Sequence, residues 1–144
     1  MDPKSNVASA SPGLSWLLVY TKPRAESWTD INLRNQGFVT LLPRVASRGR
    51  FVPLFPRYVF VGYEADDRTD PIGNTLGVLY VVQCGPRPAR VPLEVIDEIR
   101  ARMSVSGVVQ LDQVAVDPLF AKQQRDRIRT LLKLTQAGFR VKSA

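Results

Sequence analysis

The residues with most to offer chemically run in one stretch, Phe51-Val-Pro-Leu-Phe-Pro-Arg-Tyr-Val-Phe-Val-Gly-Tyr63. Side chains alternate along an extended chain, so Tyr58 and Phe60 share one face and Val59, Val61 and Tyr63 the other. Both faces are apolar. Each ring can bury roughly 150–250 Å², worth about 4 kcal/mol at the usual transfer coefficient. Such rings bind rather than break bonds. They stack on RNA bases, anchor a protein helix, or fill the chain's own core. Tyr20 on a neighbouring strand extends the patch, and Pro53 and Pro56 stiffen its lead-in. The RNA-recognition signature has aromatics where Tyr58, Phe60 and Tyr63 stand. Its glycine slots hold Arg57 and Val59 here, which counts against stacking.

The second set is basic: Lys22, Arg24, Arg48 and Arg50. Solvated charge is the bland reading. As a group beside an aromatic face they suit nucleic-acid phosphates, and Arg48 and Arg50 flank Gly49 on a segment expected to be a loop. The whole chain has 20 basic and 13 acidic residues, a net +7, which favours a polyanionic partner. There is no histidine, and Cys84 is the sole cysteine. That excludes histidine triads, histidine zinc motifs, a structural zinc site and an internal disulfide. The carboxylates are scattered. We therefore expect no catalytic residue, no metal and no cofactor. One thiol suits the cytoplasm, and no apolar run approaches the roughly 20 residues of a membrane span.

The positioning elements follow from pattern. Residues 1–13 are small and polar and are expected to be a disordered tail. Trp16–Thr21 predicts a strand, and Arg24–Gln36 a helix with Ala25, Trp28 and Ile31 on one face. Phe38–Leu42 predicts a strand, Arg44–Val52 a basic loop, and Tyr58–Tyr63 the clearest strand. Asp70-Pro71 predicts a short helix, Val78–Val82 a strand, and Pro92–Met103 a helix with Val95, Ile96, Ile99 and Met103 facing inward. Residues 14–103 thus read as an α+β domain. It is a split βαβ, ferredoxin-like antiparallel sheet with helices packed on it. Residues 104–111 read as a linker. Residues 118–137 predict a basic amphipathic helix with Ile128, Leu131, Leu132 and Thr135 in its stripe and Gly138 as its stop.

Trp16-Leu-Leu-Val-Tyr20, Lys22, Pro53-Leu-Phe-Pro-Arg-Tyr-Val-Phe-Val61 and Gly77-Val78 together resemble the N-terminal domain of NusG transcription elongation factors. The resemblance is closest to the RfaH-like branch and covers about residues 14–103. It implies a monomeric elongation or antitermination factor that binds RNA polymerase. Tyr20, Leu54, Phe55, Pro56, Tyr58 and Phe60 would dock on the β′ clamp helices, keeping the clamp closed and suppressing pausing. Arg68-Thr69-Asp70 stands where that branch contacts the β gate loop, with only the threonine in common. Lys22 matches a residue that touches non-template DNA, and upstream DNA is the other candidate. The stand-alone alternative is an RNA-binding module on the same aromatic face.

The family's second domain is a small KOW β-barrel. Asp112-Gln-Val-Ala-Val116 with Phe120-Ala121 resembles its opening, and Asp126–Leu134 with Phe139-Arg-Val141 its close. The 34 residues after Gln110 (144 minus 110) are too few to close a barrel. Residues 112–144 are therefore expected to be a truncated KOW-like or helical segment, and ribosome contact is not carried over. In RfaH-like proteins such a segment can fold as helices over the clamp-binding patch. Leu119, Phe120, Ile128, Leu131 and Leu132 are the expected cover. The glutamate that helps close it there is Val52 here, so a different latch is required.

Overall fold

The computed structural model describes residues 13–64, 68–111 and 117–143. Most of the expected tail, the expected barrel opening at 112–116, and the side chains of Phe139 and Val141 lie outside the described residues. The chain runs β1 (Ser15–Thr21), α1 (Glu26–Asn35), β2 (Val39–Leu41), β3 (Arg44–Ser47), β4 (Arg50–Pro53), β5 (Tyr58–Tyr63), α2 (Asp70–Gly73), β6 (Val78–Val81), β7 (Gln83–Cys84), β8 (Arg87–Pro88) and α3 (Leu93–Arg102). A 3-10 turn (Pro118–Phe120) and α4 (Gln124–Ser143) follow.

β1 and β5 form the middle of the main sheet because both are apolar on both faces. The order is β2-β5-β1-β6, antiparallel at every pairing. This is the expected split βαβ layout. The register sets Leu18 against Phe60 and Tyr20 against Tyr58. On one face Leu17, Val19, Val59 and Val61 pack with Leu33 of α1 and Ile72 of α2. On the other, Trp16, Leu18, Tyr58 and Phe60 pack with Ile96 and Ile99 of α3 and with Leu119, Phe120 and Leu131 of the C-terminal helices. Helices thus cover both sides of the sheet.

Several local expectations need correction. In α1 the apolar stripe chose the wrong face, since Trp28 and Ile31 are each 48% exposed while Thr29 and Leu33 are buried. Glu26 and Asp30 share the buried face because each has a partner. The Glu26 carboxylate accepts the Arg57 backbone N–H at 2.8 Å, and Asp30 pairs with Arg34 at 2.9 Å. Residues 44–53, expected as a loop, form a hairpin. Its two-residue turn, Arg48-Gly49, has φ of 51° and 77°, the left-handed pair that a twisted hairpin needs. Val45 and Val52 pair across it and join the core.

Residues 104–111, expected as a linker, are strapped to β3. The Arg44 N–H donates to the Gly107 carbonyl at 3.0 Å, and the Val109 N–H donates to the Arg44 carbonyl at 2.7 Å. The expected single helix over 118–137 is two pieces. Asp117 caps the 3-10 turn by accepting the Leu119 N–H at 3.0 Å, which turns Phe120 into the core before α4 begins. α4 then continues through Gly138 to Ser143, because an interior glycine costs a helix only about 1 kcal/mol. No helix among the described residues is long and apolar enough to cross a membrane.

Two glycines test this packing. Both have positive φ, but a Cβ on Gly49 meets open space, whereas one on Gly77 collides with the Thr29 hydroxyl of α1. Gly49→Ala should cost about 1 kcal/mol, the usual left-handed penalty, and Gly77→Ala clearly more. Urea unfolding of the two variants checks this, and equal midpoints would contradict the α1–β6 packing.

Candidate functional site

Three tyrosines lie in register across three strands. Tyr20 of β1 faces Tyr58 of β5 on one side and Tyr80 of β6 on the other. The Tyr20 and Tyr58 rings are 5.1 Å apart and tilted, and Tyr20 and Tyr80 stack at 5.0 Å. Arg57 completes the row. Its guanidinium lies 4.3 Å over the Tyr20 ring while its Nε donates to the Thr21 carbonyl at 3.1 Å. Its backbone is left-handed, with φ 75°, and is held there by the Glu26 carboxylate bonded to its N–H. Such a conformation persists where the surroundings over-determine it.

Exposure falls steeply along the patch, from Tyr80 at 51% through half-buried Tyr20 to Tyr58 at 9% and Phe60 at 0%. Burial is the main cause that raises the Tyr58 phenol above its usual pKa, with Tyr80 and Tyr20 adding to it and Arg57 opposing. The phenol therefore stays protonated wherever an ordinary tyrosine does.

Phe60 meets Phe55 edge-on at 5.8 Å, and Leu54 and Phe55 are both buried. Pro56 is half-buried. Leu119, Phe120 and Leu131 are buried in the same cluster, with Ile128 and Leu132 half-buried at its margin. Arg127 joins the two parts. Its Nε donates to the Leu54 carbonyl at 2.9 Å, and its Nη1 donates to the carbonyls of Ala121 and Lys122 at 2.7 and 2.9 Å. Burial pulls its pKa below the usual guanidinium value, yet an arginine remains charged in proteins. The Arg102 guanidinium of α3 covers Phe120 at 3.9 Å. The structure thus brings together Tyr20, Leu54, Phe55, Tyr58 and Phe60 with all five residues expected as a cover.

The basic residues divide into two groups. Lys22 and Arg24 sit exposed in the turn after β1, where the Lys22 N–H donates to the Gly77 carbonyl at 2.9 Å and Arg24 has φ 61°. That turn directly follows Tyr20. Arg48 and Arg50 are exposed on the separate β3–β4 hairpin. Arg68 and Asp70 pair with each other at 3.1 Å, both largely exposed, and Thr69 is the N-cap of α2. No hydrogen bond or ring contact among the described residues ties these three to the tyrosine row. Tyr63 packs in the opposite core, so Tyr58, Phe60 and Tyr63 do not share one face as an RNA platform, and Phe60 is buried in this arrangement.

Sequence reasoning missed Tyr80, Arg57 and Arg127. Tyr80 had a signal, since its strand must lie beside β1. Arg57 enters the sequence reading only as a mismatch to the RNA-recognition signature, and Arg127 is one of seven basic residues in 118–144. Among the described residues no group of three metal-ligating side chains occurs.

Residues 14–100 match the family described as NusG, transcription termination factor nusG. No curated protein matches the chain. The match takes in the main sheet, the tyrosine row and nearly all of α3, and it ends before the C-terminal helices. It covers 87 of 144 residues (100 minus 14, plus one), and with the sheet order and the aromatic row it shows that the chain belongs to the NusG family.

Proposed function

We propose that this NusG-family transcription factor docks on the β′ clamp helices of RNA polymerase, and that its C-terminal helices occupy the docking face until polymerase displaces them. The docking residues are Tyr20, Leu54, Phe55, Pro56, Tyr58 and Phe60, as the RfaH-like resemblance implies. Docking holds the clamp closed and suppresses pausing or termination. Arg68, Thr69 and Asp70 serve the gate-loop side, with the Arg68–Asp70 pair opening to do so. Lys22 and Arg24, beside the tyrosine row, and Arg48 and Arg50, on the hairpin, meet the phosphates of non-template or upstream DNA.

One observation carries the proposal. The family match ends at residue 100, yet the core on the Phe60 face is completed by Leu119, Phe120 and Leu131, which lie beyond it. The matched region alone leaves that face short of a cover. A face that one amphipathic helix pair can cover is one that another helix pair can replace, with the same aromatic anchors. Tyr80 and Tyr20 supply the edge that stays accessible while the face is covered, so a partner can make first contact there.

The latch is the Arg127–Leu54 bond. A charge-assisted hydrogen bond contributes roughly 1.5–3 kcal/mol, and every ~1.4 kcal/mol is tenfold in an equilibrium. Apparent affinity rises with the fraction of open protein. Arg127→Ala should therefore strengthen binding to an isolated clamp-helix fragment at least about tenfold, as measured by titration calorimetry. Unchanged or weaker binding would contradict the cover.

Docking itself is tested in the same background. Tyr58→Ala added to Arg127→Ala should cost at least ~2 kcal/mol, some thirtyfold, if Tyr58 is an anchor. Equal retention of RNA polymerase with and without Tyr58 would count against clamp docking.

A further inference from the structure

β2 is the outermost strand of the main sheet, with β5 on one side and no strand on the other among the described residues. In such a strand every second residue turns its N–H and C=O away from its neighbour, toward whatever lies beyond the edge. Beyond β2 lies a cavity of about 520 Å³, whose lining includes residues 37–42 without a break. Side chains alternate along a strand, so a cavity over either face would be lined by every second residue. The unbroken run places this cavity against the backbone edge itself.

The cavity has a wall on each side of the sheet. Asp30 and Arg34 of α1 stand on one side, and Met103, just past α3, with Ser106 on the other. Phe38 and Leu42 join the core on the α1 face, while Leu41 and Met103 join the core on the α3 face. Both sides of an incoming chain would thus meet apolar surface. The fold already takes an added strand at the next stretch of chain. Arg44 bonds by its N–H to the Gly107 carbonyl and by its carbonyl to the Val109 N–H, in a parallel bridge with Val108. The outer edge of Val39–Leu41 takes no such bridge among the described residues.

Charge selects the occupant. Arg34 is met by Asp30. Arg44, which also lines the cavity, donates to the neutral Ser27 hydroxyl at 3.0 Å and pairs with no carboxylate among the described residues. From Asn32 to Tyr63 the sequence holds five arginines and no carboxylate. A second copy of the chain would therefore set one basic edge against another.

We propose that the β2 edge is a docking slot for an extended, acidic segment of a partner protein, which adds to the sheet beside β2 and sets a carboxylate on Arg44. Main-chain bonds give a complex of this kind its affinity, and alternate side chains give it specificity. β2 has only three residues, so the ladder is short and Arg44 carries a large share of the binding. No residue lining the slot belongs to the set proposed for clamp docking, and the two proposals stand or fall separately.

The test uses the full isotope-labelled chain, with backbone amide shifts followed as an acetylated and amidated Glu-Val-Thr-Val-Glu peptide is added. Shifts should centre on Val39–Leu41 and Arg44. Arg44→Gln should weaken binding about tenfold, the scale of one lost charge-assisted hydrogen bond. A Lys-Val-Thr-Val-Lys peptide should bind at least about tenfold more weakly than the acidic one, by the same measure. Proline is then placed at the second or at the third position of the acidic peptide. One of those two positions must face the edge, and proline there cannot donate to the ladder, so at least one of the two peptides should lose binding. Parent-like binding of both proline peptides would overturn strand addition. Equal binding of the basic peptide would overturn the choice of an acidic partner. No shifts along β2 would overturn the site. Shifts of the same amides on raising the protein concentration without peptide would make a second copy the occupant and overturn the proposal.

Discussion

The structure is governed by a sheet that is apolar on both sides. β1 and β5 place Leu17, Val19, Val59 and Val61 on one face and Trp16, Leu18, Tyr58 and Phe60 on the other. Neither face can be left to water without a penalty of several kcal/mol per large side chain. The first face is closed by α1 and α2 from inside the family-matched region. The second is only partly closed by α3, and the remainder falls to the C-terminal helices. The fold, the position of the candidate site and the need for a cover all follow from that one asymmetry.

The cover is held by polar contacts as well as by area. Arg127 enters the interface charged and satisfies three backbone carbonyls there, one of them 73 residues away. Burying a cation is costly unless it is well bonded. Such a contact specifies one arrangement of α4 while adding less net stability than apolar packing would. Under the proposed function, a contact of this kind suits a segment that polymerase displaces. The tyrosine row lies at the edge of the same face, where Arg57 is fixed by Glu26 and Thr21, so its accessible part is already ordered before any partner arrives.

Much of this was legible in the sequence, in proportion to how local the cause was. The Tyr58–Tyr63 strand and its two-faced pattern are properties of six consecutive residues, and the sheet order follows from the spacing of strands and helices. The buried face of α1 was not legible, because Glu26 and Asp30 depend on partners that a hydropathy pattern does not contain. The β3–β4 hairpin was hidden by Arg48-Gly49, a turn pair without the usual asparagine or aspartate signal. The row through Tyr80 needed the β1–β6 register. The role of Arg127 needed a carbonyl in another element, and no spacing within α4 could reveal it. Val52 stands where the RfaH-like resemblance places a glutamate, so the proposed latch draws on other residues.

The proposed function rests on the same asymmetry: a face completed by the C-terminal helices is one that another helical surface can cover in their place. The most direct measurement is amide hydrogen exchange on the free protein and on its complex with the clamp-helix fragment. The account predicts that α4 is protected in the free chain and loses that protection in the complex, while β1 and β5 keep theirs. Protection of α4 that is undiminished in the complex would contradict it.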